Sequence, residues 1–419
     1  MVPRVLVVGG GFAGLWAAAG AARTLDQFGA SGAAEVVLVN PDPFHVIRVR
    51  CYEADLAPVR VALDAVLGPI GVCRVEGRAT GIDRRRRMVP VQLTDGGAIT
   101  DLSYDRLVLA AGSALARPSI PGLAEHAFDV DTYGGGERLA RHLAALGAGS
   151  AGLGRWTAVV IGAGLVGLEI ACELPARLQA AQQAAGVDQT AEPVRVVLLD
   201  HSPICGTGMG SAAAPAIQAA LAAAGVAARG GVAVRAVDAG GVRLETGEYI
   251  AAQTTLCATG MRASALAAAV GVPLDALGRV PVDTFLQVEG GTDAIYAAGD
   301  VARAQADGAG HVTVMSCQHA RPMGRIAGHN AACDLLGRAE ARVAFAAPEY
   351  VTVLDLGPWG AVYTADWDRS VVRAQGAAAK AVKREINGRR IYPPLNGDRR
   401  AILDAAAPVI QVAPALAPG

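Results

Sequence analysis

The sequence predicts an α/β chain in which one strand–turn–helix unit is built twice and a smaller β-rich part follows. Three observations predict it. An apolar run, Val5–Val8, stops on a cluster of glycines and leads into the small-residue stretch Ala13–Ala22, the pattern of a buried strand, a tight turn and a helix start. The same pattern returns at Thr157–Glu169, which reads TAVVIGAGLVGLE. Each unit then continues in one order: a strand ending in an amide or acid, a hairpin, and a strand ending in small residues. Gly9 thus answers to Gly162, and Gly112 to Gly260.

The first turn spaces Gly9, Gly11 and Gly14 as G-x-G-x-x-G, within Gly9-Gly10-Gly11-Phe12-Ala13-Gly14. The first glycine permits the turn, the second lets backbone approach a diphosphate, and the third lets helix pack close to strand. The anion would sit on the positive end of the helix, facing free N–H groups. Glu35–Asn40 reads as the second strand, and its last residue, Asn40, is placed to hydrogen-bond an adenosine ribose without charge assistance. In the next stretch, His45, Arg48 and Arg50 read as solvated strand residues rather than cofactor contacts, and Cys51 as structural. Val72–Asp83 reads as strand and turn, and the basic run Arg84–Arg87 as a solvated hairpin tip. Val89–Leu93 and Ala98–Leu102 flank a hairpin signal at residues 94–97. Tyr104–Gly112 is an apolar strand whose small end, Ala111-Gly112, admits a bulky ligand against the backbone.

After a less regular stretch, Ala148–Arg155, the second turn carries Gly162, Gly164 and Gly167. The strand Val194–Asp200 ends in an acid that can accept from both ribose hydroxyls and would repel a 2′-phosphate, which favours NADH over NADPH. A second hairpin turns at Thr246-Gly247, and Thr255–Gly260 closes the unit. Two dinucleotide sites in one chain imply one bound redox cofactor and one exchanging carrier. Ala294–Val301 then runs into Gly299-Asp300, where Asp300 caps a helix or accepts from a sugar-alcohol hydroxyl. Ser316–Leu336 reads as a helix with Arg325, His329 and Asn330 exposed; His319 reads as a packed, non-catalytic side chain. Residues from Phe345 to about Ile391 read as β-rich, and Ala401–Gly419 as a docked or loose tail broken by prolines.

Composition narrows the function. A net charge of −1 gives no reason to expect nucleic acid as a partner. No run is long and apolar enough to span a membrane, and the N-terminus enters the first strand at once, without a secretory signal. The seven cysteines form no C-x-x-C pair and no metal-ligand spacing, so a dithiol centre is not expected and a reducing cytosol is. Arginine greatly outnumbers lysine, with Lys380 and Lys383 the only lysines, which reads as compositional bias.

These motifs, GGGFAG at Gly9–Gly14, LVLAAGS at Leu107–Ser113, VVIGAGLVGLE at Val159–Glu169, ATG at Ala258–Gly260 and YAAGDVA at Tyr296–Ala302, resemble those of the pyridine nucleotide–disulfide oxidoreductase superfamily. Within it the chain is similar to the type II NADH dehydrogenases and the apoptosis-inducing-factor-like enzymes. The resemblance implies two Rossmann-like three-layer ββα dinucleotide-binding domains, with FAD on the first turn and NADH on the second. The expected division is an FAD domain at 1–125 and 285–344, an inserted NAD(P)H domain at 126–284, and a C-terminal interface domain and tail at 345–419. Asp300 would bind the FAD ribitol. Glu169 would lie near the flavin and handle protons, or else be a helix acid favoured by the dipole. Gln318 and Ala320 fit the A-Q-x-A-x-Q segment of the quinone dehydrogenases, where Gln318 can hydrogen-bond a carbonyl acceptor; Cys317 and Pro322 depart from it. The implied activity is hydride transfer from NADH to FAD and then reduction of a quinone or similar small acceptor. Two alternatives stand beside it: a biosynthetic flavin oxidoreductase using a specific organic substrate or oxygen, and a low-turnover redox sensor. The expected location is cytoplasmic, with peripheral membrane contact and a homodimer left open.

Overall fold

The first apolar run forms β1 (Arg4–Val8), and α1 (Phe12–Gln27) starts directly after the glycine turn. The computed structural model describes residues 2–148, 152–188, 190, 192–290 and 294–416. Part of the irregular stretch, at 149–151, and the tail end, at 417–419, lie outside the described residues. β2 (Glu35–Asn40), β3 (Cys73–Ala79), β4 (Met88–Leu93), β5 (Ile99–Ser103) and β6 (Arg106–Leu109) follow. With the strand Ile295–Ala297 they make a seven-stranded sheet, ordered Ile295–Ala297, β6, β1, β2, β3, β4, β5. The strands from Ile295–Ala297 to β3 are parallel, and β3, β4 and β5 form an antiparallel meander. Val5, Leu6 and Val7 are wholly buried, which is why β1 reads as a continuous apolar run rather than an alternation.

The second unit repeats the plan with β7 (Thr157–Ile161), α2 (Leu165–Ala184), β8 (Arg195–Leu199), β9 (Val226–Arg229) and β10 (Thr254–Cys257). These strands form a parallel sheet in the order β9, β8, β7, β10, with a separate three-stranded antiparallel sheet over Val234–Ala251. A two-stranded ribbon, Ser113–Leu115 against Met261–Ala263, ties the units together. Gly112 and Gly260 sit at its ends, where their carbonyls accept from Ser264 and Ala116 at 2.9 and 3.1 Å.

α3 (Cys317–Leu335) lies against α1 with backbone on backbone. A Cβ on Gly324 would stand 2.2 Å from the Ala13 carbonyl oxygen, and one on Gly328 1.9 Å from that of Ala17. This packing corrects the expected exposure of three residues. Arg325 is buried under Trp16 of α1. His329 bonds Thr24 Oγ1 at 2.8 Å, and Asn330 donates to the carbonyls of Phe285 and Val343. A helix covered on two sides has no solvated face for polar side chains to mark.

The C-terminal part begins with the expected strands, β11 (Val351–Asp355), β12 (Ala361–Ala365) and β13 (Val371–Gln375). Residues 376–390 are helical instead, as α4 (Gly376–Glu385) and a π-helical turn, Ile386–Arg390. The alternation ends at Gly376, and the run of alanines after it favours helix. A short helix, Arg399–Ala405, precedes an extended tail that is docked: Tyr363 Oη donates to the Pro414 carbonyl at 2.8 Å, and the Ala413 amide to Glu349 Oε2 at 3.0 Å.

Candidate active site

The two glycine turns are the same object built twice. Gly9 has φ 110° and Gly162 φ 105°, values that side chains oppose. A Cβ on Gly14 would fall 1.7 Å from the Gly9 carbonyl oxygen, and one on Gly167 1.9 Å from that of Gly162. Gly11 and Gly164 differ in kind: a Cβ on either would meet nothing within 4 Å. Both cap their helices in extended conformation, at ψ −167° and −175°, with no side chain on the first amides. A concave, donor-lined space in front of each helix is what a diphosphate requires.

The residue at the second strand end holds each turn. Asn40 Oδ1 accepts from the Gly10 amide at 2.8 Å, and Asp200 Oδ2 from the Ala163 amide at 2.6 Å. Asn40 gives one of its two amide protons to the Asp42 carbonyl. Asp200 Oδ1 also accepts from Ser202 N at 2.7 Å. Burial is the largest influence and opposes its charge, but the two amides, the Ser202 side chain and His201 together hold the carboxyl below its usual range.

A cavity of about 940 Å³ runs from the first turn to the C-terminal strands. Of the sequence-predicted residues, it is lined by Gly9, Gly10, Gly11, Phe12, Ala13, Asn40, Ala111, Gly112, Asp300, Glu169 and Gln318. Gly14 sits behind the turn against Gly9, and Gly299 (φ 78°) packs on Ala13. Gly162, Gly164, Gly167, Asp200 and Gly260 belong to the other unit and are not in this lining, although Leu165 and Val166 at the start of α2 are.

Around Asp300 the structure adds residues the sequence reading set aside. Ser113 Oγ donates to Asp300 Oδ2 at 2.6 Å, and Arg48 Nη1 lies 3.7 Å from the same oxygen. Burial raises the Asp300 carboxyl above its usual range, with Ser113 and Arg48 pulling the other way. Arg48 also pairs with Asp131 at 2.5 Å, and Arg50 with Glu53 at 2.6 Å. His45 is wholly buried, with Nδ1 3.0 Å from the Gly10 carbonyl and its ring edge-on to Phe12. The expectation of a solvated strand is therefore corrected. His45 lies on the short strand Phe44–Val46, inside, while both arginines stand on a single helical turn, Arg48–Arg50, that points them at acids. Cys51 is buried and its thiol pushed up to about 12, as suits a structural cysteine.

At the far end, Glu169 is 1 % exposed and pairs with Lys383 at 2.7 Å. It falls in the second turn of α2, past the reach of the helix dipole as a first-turn acid. Burial raises Glu169 above the usual carboxylate range despite Lys383. Lys383 also donates to the Val353 carbonyl at 3.1 Å, and the neighbouring Lys380 pairs with Asp355 at 2.5 Å. The only two lysines thus sit one turn apart on α4, each holding a carboxylate. Their rarity was the signal that could have found them. Gln318 donates to the Glu349 carbonyl at 3.1 Å. His319 is packed behind the wall: the Val314 amide donates to its Nδ1 at 2.9 Å, and burial lowers its pKa to about 4. The tail, through Gln411, Val412, Ala413 and Pro414, forms one side of the cavity.

Residues 3–324 match the family described as pyridine nucleotide-disulphide oxidoreductase. A Mycobacterium tuberculosis protein named NADH dehydrogenase-like protein is 53 % identical over 413 residues, covering 98 % of this chain and all of that one. Demethylphylloquinone reductase of Synechocystis sp. is 27 % identical over 349 residues, 80 % of each. In fold, the chain is similar to NDH2 from Plasmodium falciparum, solved in complex with NADH, with a TM-score of 0.78 and 10 % identity, over 97 % of this chain and 98 % of that one.

Proposed function

The chain belongs to the pyridine nucleotide-disulphide oxidoreductase family, and from that premise we propose that it oxidises NADH and reduces a quinone by way of bound FAD. The observation that carries this reading is one cavity on which the first glycine turn, the start of α2 and the Glu169–Lys383 pair all open. Similarity to a protein named NADH dehydrogenase-like and to one named a quinone reductase supports the donor and the acceptor class.

Bound FAD would supply the two-electron relay between nicotinamide and acceptor. The chain's own residues do the positioning. The open amides at Gly11 and the start of α1 hold a diphosphate, and Asn40 offers a proton to the ribose. The cavity extends past the turn to Asn40, Pro41 and Asp42, which favours a dinucleotide flavin over FMN. Asp300, aimed by Ser113 and Arg48, accepts from a ribitol hydroxyl. On the other unit, the Gly162–Gly167 turn receives the NADH diphosphate, and the Asp200 carboxylate disfavours a 2′-phosphate. At the acceptor end, two of the three Lys383 protons go to Glu169 and Val353, and the third is available to a quinone carbonyl. Buried Glu169, with its raised proton affinity, is placed to replenish that proton. Gln318 keeps one amide proton for the same oxygen.

Rapid mixing under argon tests this. NADH should bleach the flavin absorbance faster than NADPH does, and a short-chain quinone should restore it faster than oxygen. Restoration by oxygen alone would overturn the quinone assignment, and a preference for NADPH would overturn the role of Asp200.

A further inference from the structure

α3 brings two guanidinium groups into the interior with no carboxylate partner among the described residues. Arg321 and Arg325 are 6 % and 8 % exposed, one turn apart on the same face. Both Nε atoms are buried without a hydrogen-bond partner, and among the described residues neither side chain meets a carboxylate. Both lie over Trp16, at 5.4 and 4.5 Å from its ring centroid. Arg390, on the π-helical turn after α4, adds a third positive charge and donates to the Val412 carbonyl. Arg321 and Arg390 both line the cavity, and Arg390 is joined to the tail segment that walls its far end.

The acids around them are engaged elsewhere. Glu169 is held by Lys383, Asp355 by Lys380, and Glu53 by Arg50. Glu349 gives an oxygen to the Ala413 amide. His45, which feels the Arg321 charge, is held neutral by burial with a pKa of about 4, and burial raises the Cys317 thiol one turn before Arg321. Burial, with repulsion from Arg325 and Arg390 at Arg321 and from Arg390 at Arg325, pulls both guanidinium groups down to about 10. A buried like-charge pair is costly to keep, and replacement by apolar side chains is often stabilising. Such an arrangement persists where a ligand supplies the missing countercharge. The walls beside it, Tyr350, Val353, Ile386, Ile391 and Val412, suit a flat apolar ring.

We propose that the acceptor end of the cavity is an anion subsite, and that the oxidant reduced here is a quinone ring bearing a carboxylate held by Arg321 and Arg390. This rests on reading the cavity as the quinone site. The rival source of negative charge is the flavin's own diphosphate.

The test uses the full flavin-loaded chain with 1,4-naphthoquinone-2-carboxylate and its methyl ester, which differ in one charge. The wild type should prefer the carboxylate in kcat/KM by at least about tenfold, the size of one charge-assisted hydrogen bond. Arg321→Met should erase that preference, and Arg390→Gln should reduce it. Arg321→Met should also keep its flavin and melt no lower than wild type when no acceptor is present. Calorimetric binding of 2-naphthoate, which cannot be reduced, should weaken at least about tenfold in Arg321→Met. Equal use of the two acceptors by wild type would overturn the proposal. So would loss of flavin from Arg321→Met, which would give the guanidinium to the diphosphate, or a lower melting point with both acceptors hurt alike, which would make it structural. If wild type reduces neither acceptor, the quinone reading fails, and 2-naphthoate alone decides the anion subsite: binding lost in Arg321→Met supports it, and no binding by wild type overturns it.

Discussion

Gly11 and Gly14 stand in one turn and answer to different forces. Gly14 has no room for a Cβ, which would strike the Gly9 carbonyl, whereas Gly11 faces open space at an ordinary φ of −73°. Gly14→Ala should therefore fail to fold or lose its first unit. Gly11→Ala should fold, with an unchanged circular dichroism spectrum, and purify with little flavin, because the methyl group would fill the open space proposed for the diphosphate. Flavin retained in Gly11→Ala would refute the placement. The Glu169–Lys383 pair gives a second residue-scale prediction. Lys383→Met leaves a carboxylate buried alone and should cost about 3 kcal/mol in denaturant unfolding, most of it recovered by adding Glu169→Gln. Spacing alone made the glycines legible in the sequence. Lys383 was not, because nothing local ties residue 383 to residue 169; the two meet only where α2 and α4 both pack on β11.

At the scale of elements, the α1–α3 contact decides how the site is held. Gly324 and Gly328 let α3 settle on the Ala13 and Ala17 carbonyls, so the floor under the first turn has almost no play. Gly328→Ala should push the helices apart and destabilise by about 2–3 kcal/mol, read as a fall in the unfolding midpoint. A surface alanine, such as Ala339→Gly, is the control and should change little. Helix and strand identities were legible around both glycine turns, where periodicity and turn residues agree. The burial of α3 was not, because its polar residues Arg325, His329 and Asn330 suggest a wet face while in fact bonding or stacking against neighbouring segments. The helix α4 was missed for a related reason: a short helix after strands carries too few turns to impose a period.

Across the whole molecule, duplication is what the sequence displays best and the far wall of the cavity is what it displays least. The two turns, their strand-end partners Asn40 and Asp200, and the ribbon at Gly112 and Gly260 all follow from one repeated pattern. The acceptor end instead gathers α2, α3, α4 and the tail from distant parts of the chain. The fold as a whole also carries an acid-sensitive load. His45 and His319 are buried and held neutral, with folded pKa values of about 4 against 6.5 in a free side chain. A depressed histidine contributes stability that is complete above the unfolded value and is lost as pH falls toward the folded one. The melting temperature should therefore drop between pH 6.5 and 4, and His319→Gln, which cannot charge, should drop less. An equal fall in both proteins would place the load elsewhere.

The docked tail has a practical corollary. Val409, Ile410 and Val412 are more than half exposed, so a protease can reach the peptide just ahead of the stretch that walls the acceptor end. A preparation nicked there would stay yellow, keep its response to NADH and change only its choice of oxidant. Ageing of a stock would then show first as drift in the ratio between two electron acceptors, before any loss of colour.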